Sequence, residues 1–175
     1  MHILAGLLAL AVGAYFFFYR ARNAVQIADD VADMAQTAVG AARRFGFRRR
    51  ANVHPVDCIE DPKLAVAGLA TAYAELDALP TQETRDALLV GFQSALDVSR
   101  NDAEELAVLG QWFVNECKGA DAAVPRIARK LARMDGAQGL VSVMEVIGQV
   151  AKTGDPAPSE KQAEALTEIK RMFKV

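Results

Sequence analysis

Residues 61–76 read DPKLAVAGLATAYAEL, from Asp61 to Leu76, and their pattern decides the fold. An Asp is a strong helix N-cap, because its carboxylate accepts a backbone N–H that has no partner inside the helix. A Pro in the next position starts the helix where a missing N–H costs nothing. Apolar and small residues then recur at Leu64, Ala67, Gly68 and Tyr73, with Leu69 and Leu76 beside them. That spacing predicts a helix to about Leu76 with one apolar face.

The same period continues toward the C-terminus. Thr81 opens a second helix carrying Ala87, Leu88, Val90, Gly91, Phe92, Ala95, Leu96 and Val98. Asn101-Asp102-Ala103-Glu104 reads as a capping box for a third, with Leu106, Leu109, Trp112, Phe113 and Val114, stopping near Gly119. Pro125 is expected to start a fourth, with Ile127, Leu131 and Met134, ended by Asp135-Gly136. Leu140 to Ala151 is apolar almost all round and is therefore expected to be the buried central helix. Ser159-Glu160-Lys161-Gln162 is another capping box, opening a last helix to about Phe173. Strand-type alternation is absent from this pattern. The expectation is an all-α bundle of about six helices over residues 63–175, with residues 51–62 as a linker.

Toward the N-terminus, Ile3 to Tyr19 reads ILAGLLALAVGAYFFFY, without a charge. A helix of that length spans roughly 25 Å, near the thickness of a bilayer's hydrocarbon core. A secretory signal would need a basic start and small residues at a cleavage site, whereas this run ends in bulky aromatics and Arg20. Aromatics at a helix end suit the membrane interface. All basic residues of the first fifty follow the span: Arg20, Arg22, Arg43, Arg44, Arg48, Arg49 and Arg50. By the positive-inside rule, residues 1–20 are expected to be a single-pass transmembrane anchor with the C-terminal domain cytoplasmic.

Residues 21–50 are expected to form a basic juxtamembrane helix or stalk. Small or apolar residues at Ala14, Phe17, Ala21, Ala24, Ala28, Val31, Ala35, Ala38, Ala42 and Phe45 follow a heptad-like spacing. Alanines bury little area, so any self-association through this seam is expected to be weak. Arg43, Arg44, Arg48, Arg49 and Arg50, interleaved with Phe45 and Phe47, suit contact with anionic lipid headgroups.

Charge and composition exclude several functions. Residues 51–175 carry 19 acidic against 13 basic side chains, a poor balance for binding nucleic acid. Cys58 and Cys117 fall in no metal-ligand spacing and make no disulfide framework. His2 and His54 are the only histidines. Ser, Cys and His occur in no pairing for nucleophilic catalysis, and phosphate-binding Gly-rich loops are absent. The basic face Arg126, Arg129, Lys130 and Arg133 reads first as solvated surface. An enzyme is not expected.

Two helix–turn–helix stretches are alike: Ala70 to Glu83, with Asp77 in the turn and Thr81 as cap, and Val146 to Glu160, with Asp155 in the turn and Ser159 as cap. Together they resemble the TerB-like, tellurite-resistance-associated helical family, whose hallmark is a paired hairpin with Asp-Gly…Ser/Thr-x-x-Glu turns. Asp77 is followed here by Ala78, and Gly154 precedes Asp155. Related domains also occur in membrane-anchored DnaJ-like co-chaperones. No J-domain pattern occurs in this chain, so the resemblance implies no co-chaperone activity. It does imply a role in envelope or metal-oxyanion stress, and divalent-cation binding by Asp77, Glu83, Asp155 and Glu160. Hard cations take oxygen ligands, and two adjoining turns can supply four carboxylates. The same residues also read as ordinary turn and first-turn acids, which offset the helix dipole.

Two expectations follow. The first is a membrane-tethered interaction module with an unidentified protein partner, membrane lipid around its span and no certain cofactor. The alternative is a divalent-cation-binding domain using the acidic turns.

Overall fold

The computed structural model describes residues 44–153 and 157–174. Among them every regular element is helical: α1 Pro62–Ala74, α2 Gln82–Leu96, α3 Arg100–Glu116, α4 Ala120–Val150 and α5 Glu160–Met172, with a 3-10 turn at Pro55–Cys58. The all-α expectation holds for this part of the chain. No helix among the described residues is long and apolar enough to cross a membrane. The apolar run Ile3 to Tyr19 and the stalk up to Arg43 lie outside them.

Local signals place most helix starts. The Asp61 carboxylate accepts the N–H of Lys63 at 2.9 Å, and Pro62 is the first residue of α1. Thr81 caps α2 by accepting the N–H of Thr84. Ser159 and Gln162 form the expected reciprocal box at α5, each side chain accepting the other's backbone N–H. Two starts differ from expectation. The cap of α3 is Ser99, not Asn101: its hydroxyl accepts the N–H of Asp102 and donates to the Asp102 carboxylate at 2.7 Å. Asp102, in the N3 position, bonds the hydroxyl of that cap, and the start lies two residues earlier than the pattern placed it. Likewise α4 begins at Ala120 and carries Pro125 inside it. Gly119, with φ 120°, makes the break that Pro125 was expected to make.

The expected stop at Asp135-Gly136 becomes a kink. Gly136 has φ 52° and ψ −131°, outside helical geometry, and the helix resumes beyond it. Leu131 folds across the bend so closely that a Cβ on Gly139 would lie 2.9 Å from its side chain.

The central helix is α1, not the Leu140–Ala151 segment. Every residue from Leu64 to Tyr73 is buried, whereas Val141, Glu145, Gly148 and Ala151 are exposed. α1 is enclosed chiefly by α3 and α4. Its small residues permit this. A Cβ on Gly110 of α3 would stand 2.7 Å from the Thr71 hydroxyl and 3.0 Å from the Ala67 carbonyl oxygen. A Cβ on Gly68 would lie 3.2 Å from the Ile127 side chain and 3.6 Å from that of Phe113. Backbones that approach this closely leave no side of α1 open to water.

The stretch expected as a linker is packed on the helices. Val56, Cys58 and Ile59 are buried. The His54 imidazole accepts the N–H of Val56 and so opens the 3-10 turn. Phe47, in the stretch expected to contact lipid headgroups, is 8% exposed and sits edge-on to Trp112 and Phe113, with ring centroids 5.6 and 5.3 Å away. The arginines beside it meet acids of the domain: Arg44 with Asp102 and Glu105, Arg49 with Glu116, Arg50 with Glu60. Short apolar segments of this kind carry no helical period from which burial can be read.

Candidate functional site

The two look-alike turns face each other across one cleft. One wall comes from the end of α1 and the start of α2, through Tyr73, Ala74, Asp77 and Thr84. The other comes from the end of α4 and the start of α5, through Ile147, Val150, Ala151, Thr153, Ala157, Pro158, Ser159, Gln162 and Leu166. The cavity is about 410 Å³. Its floor is apolar, its rim carries hydroxyls and an amide, and Asp77 is its one charged lining residue among those described.

Each wall is held by local bonds. The Arg85 guanidinium donates twice to the Pro80 carbonyl, at 3.2 and 2.9 Å, and closes the α1–α2 turn. The Thr81 and Thr84 hydroxyls lie 3.0 Å apart. On the other wall Thr153 donates to the Val150 carbonyl at the end of α4. Leu79, at the tip of the first turn, is 84% exposed.

Burial pushes the Tyr73 phenol above its ordinary range, and the nearby Asp77 charge adds to the effect. That hydroxyl therefore stays protonated at neutral pH and can donate a hydrogen bond into the cleft. Glu75, next to the cleft in the same turn, is also shifted upward, chiefly by burial. The Gln111 amide and the Arg85 charge pull it the other way. Its buried Oε1 has no hydrogen-bond partner among the described residues. Sequence reasoning passed over Glu75. Its position at the C-cap of α1, where a negative charge opposes the helix dipole, was the available signal.

Of the four carboxylates drawn from the sequence, Asp77 lines the cleft. Glu83 is exposed in the first turn of α2 and is not among the cleft's lining residues. Glu160, exposed at the start of α5, borders instead a shallow groove along the outer face of that helix with Glu164 and Glu168. Asp155 lies outside the described residues. Among the described residues no group of three or more His, Cys, Asp or Glu side chains is gathered closely enough to hold a metal ion. Comparison with protein-family models, with curated proteins and with solved structures gave no match.

Proposed function

We propose that this chain is a non-enzymatic, membrane-tethered interaction module that holds a segment of a partner protein in the cleft between its two turns. The single observation behind this reading is the cleft itself. Two turns some eighty residues apart in the chain meet over an apolar floor of Tyr73, Ala74, Ile147, Val150 and Leu166. Polar groups are few and sit at the rim, an arrangement suited to orienting a bound segment rather than transforming it. The charge of Asp77, within a domain rich in acids, favours a partner segment with an apolar side chain next to a basic one.

Ile3 to Tyr19 supplies the tether in this reading, and the arginines that follow it put the domain in the cytoplasm. Carbonate extraction should leave the protein in the membrane, and protease outside intact cells should spare the domain. Release into the soluble fraction would overturn the tether. For the cleft, a photo-crosslinking side chain at Gln162 should give a discrete adduct in intact membranes. Ala151→Trp, which fills the cleft from an exposed rim position, should abolish it. An adduct that Ala151→Trp leaves unchanged would refute partner binding at the cleft.

The cation reading rests on the TerB-like pattern of the turns and on the placement of Asp77 beside the segment that leads into Ser159. If a divalent cation binds there, calcium, magnesium or manganese should raise the melting temperature of the wild-type chain. The gain reaches about 2.7 kcal/mol at a hundredfold excess over the dissociation constant. Asp77→Asn with Asp155→Asn should remove that gain. A melting temperature unmoved by millimolar amounts of all three ions would leave only the interaction module.

A further inference from the structure

A second cavity, about 260 Å³, opens between the 3-10 turn and the beginning of α4. Its lining residues are His54, Cys117, Ala122, Pro125, Arg126 and Arg129. Hydrogen-bond donors dominate this lining, and no carboxylate belongs to it. Two nearby acids are engaged elsewhere: the Asp57 carboxylate pairs with Arg126 while its carbonyl accepts from Lys130 at 3.0 Å, and Glu116 pairs with Arg49.

The state of each donor follows from its neighbours. Val56 gives its N–H to Nδ1 of His54, so the neutral imidazole carries its proton on Nε2 and is a donor there. Arg126 uses one Nη on Asp57, while its Nε–H has no acceptor among the described residues. Arg129 is exposed and makes no ion pair among the described residues. Burial pushes the Cys117 thiol upward, with the Arg126 charge opposing and the Asp57 and Glu116 charges adding, so it remains a neutral S–H.

We propose that this cavity binds a phosphoryl oxyanion, held between the Arg126 and Arg129 guanidiniums with His54 as a third donor. Arg129 brings a positive charge with no ion pair among the described residues, Arg126 brings the part of its guanidinium that Asp57 leaves free, and guanidinium forks match the spacing of phosphoryl oxygens. Ala122 and Pro125 supply the apolar part of the wall. The group can be free phosphate or the phosphate of a lipid headgroup. The chemistry is shared, and the source is a matter for the experiment.

The test uses the full-length chain in neutral detergent. Inorganic phosphate is titrated against chloride at matched ionic strength, followed by the His54 ring resonance and by calorimetry. His2→Ala isolates that resonance from the other histidine. Saturable binding of phosphate but not chloride is expected, weakened about tenfold or more by Arg129→Gln, a change that breaks no ion pair described in the domain. A parallel titration with phosphatidic acid in mixed micelles separates the two sources. Saturation by the lipid alone, again weakened by Arg129→Gln, assigns the site to a headgroup. Absence of saturable binding in both titrations overturns the proposal. Equal binding by Arg129→Gln and wild type does so too. Arg126→Gln also breaks the Asp57 pair, so Arg126→Lys, which keeps the charge but loses the fork, is the second variant and should weaken binding as well.

Discussion

Helix α1 and the part of α4 beyond its kink, residues 137–150, are both apolar and both rich in small residues, yet they sit differently. α1 is buried on every side, whereas Val141 in the second segment is 58% exposed. Mean apolarity does not separate them. The neighbours do: α1 is crossed closely on two faces, by α3 at Gly110 and by α4 at Ile127, while beyond the kink the close crossing is the one with α2, at Gly91 and Val146. Burial is a property of how many surfaces a helix meets, and small residues set how closely each can come.

The largest break in this comparison should come from α1. Leu69 is fully buried, so Leu69→Ala should cost about 2–5 kcal/mol of unfolding free energy, the usual range for such a deletion in a core. Val141→Ala, the matching truncation on the other helix, should stay within about 0.5 kcal/mol. Urea titration of the full-length chain in detergent, read by circular dichroism, measures both. Equal costs would mean that the two helices are packed alike.

Gly110 tests the close crossing directly. A Cβ there meets the Thr71 hydroxyl and the Ala67 carbonyl oxygen, and the latter is backbone that cannot swing away. Gly110→Ala should therefore destabilise by about 1–3 kcal/mol. Adding Thr71→Ala removes one of the two obstacles, together with a buried hydroxyl that has no partner among the described residues. The double variant should recover part of the loss. No recovery would place the obstacle wholly in the Ala67 backbone.

Gly136 tests the kink, where the constraint is dihedral rather than steric. Nothing lies within 4 Å of a Cβ built there, but its φ of +52° disfavours any L side chain. Gly136→Ala should cost about 1–2 kcal/mol, without the rescue by a neighbouring substitution that Gly110 allows.

These residues also show what the sequence could carry. Asp61-Pro62 and Ser159…Gln162 place helix starts because a cap is a local bond between residues close in the chain. The kink at Gly136 was legible for the same reason, although as a stop rather than a bend. Burial of α1 was not, since it depends on Gly110 and Ile127, tens of residues away. The packed segment from Phe47 to Ile59 escaped because Phe47, Val56, Cys58 and Ile59 follow no period. At the cleft, the similarity of the two turns pointed to Asp77, Glu83, Asp155 and Glu160, of which Asp77 lines the cavity and Asp155 lies outside the described residues. The facing of Glu83 and Glu160 was not legible, because it depends on the rotation of α2 and α5 about their axes.

The smallest expected effect separates the last turn of α1 from the rest of that helix. Glu75 is the carboxylate at its C-cap, half-buried, opposed to the helix dipole and with an oxygen that has no partner among the described residues. Burial raises its folded pKa above the unfolded value, despite the Gln111 amide and the Arg85 charge. The folded state then holds a proton that the unfolded state has already released. As pH rises from the ordinary glutamate value through the raised folded one, stability is lost, and the loss is complete above it. Glu75→Gln removes the ionisation while keeping the shape of the side chain. It should stabilise the chain at pH 7, and the gain should shrink toward zero as pH falls to the ordinary glutamate range. Asp86→Asn is the comparison, on an exposed residue of α2 with no such burial, and should give no gain of that kind. Melting temperatures of the two variants and the wild type, followed between pH 4 and pH 8, decide the matter. A Glu75→Gln gain that does not vary with pH would mean that the carboxylate is as well solvated in the folded chain as in the unfolded one, and the end of α1 would then be open to water like the outer face of α4.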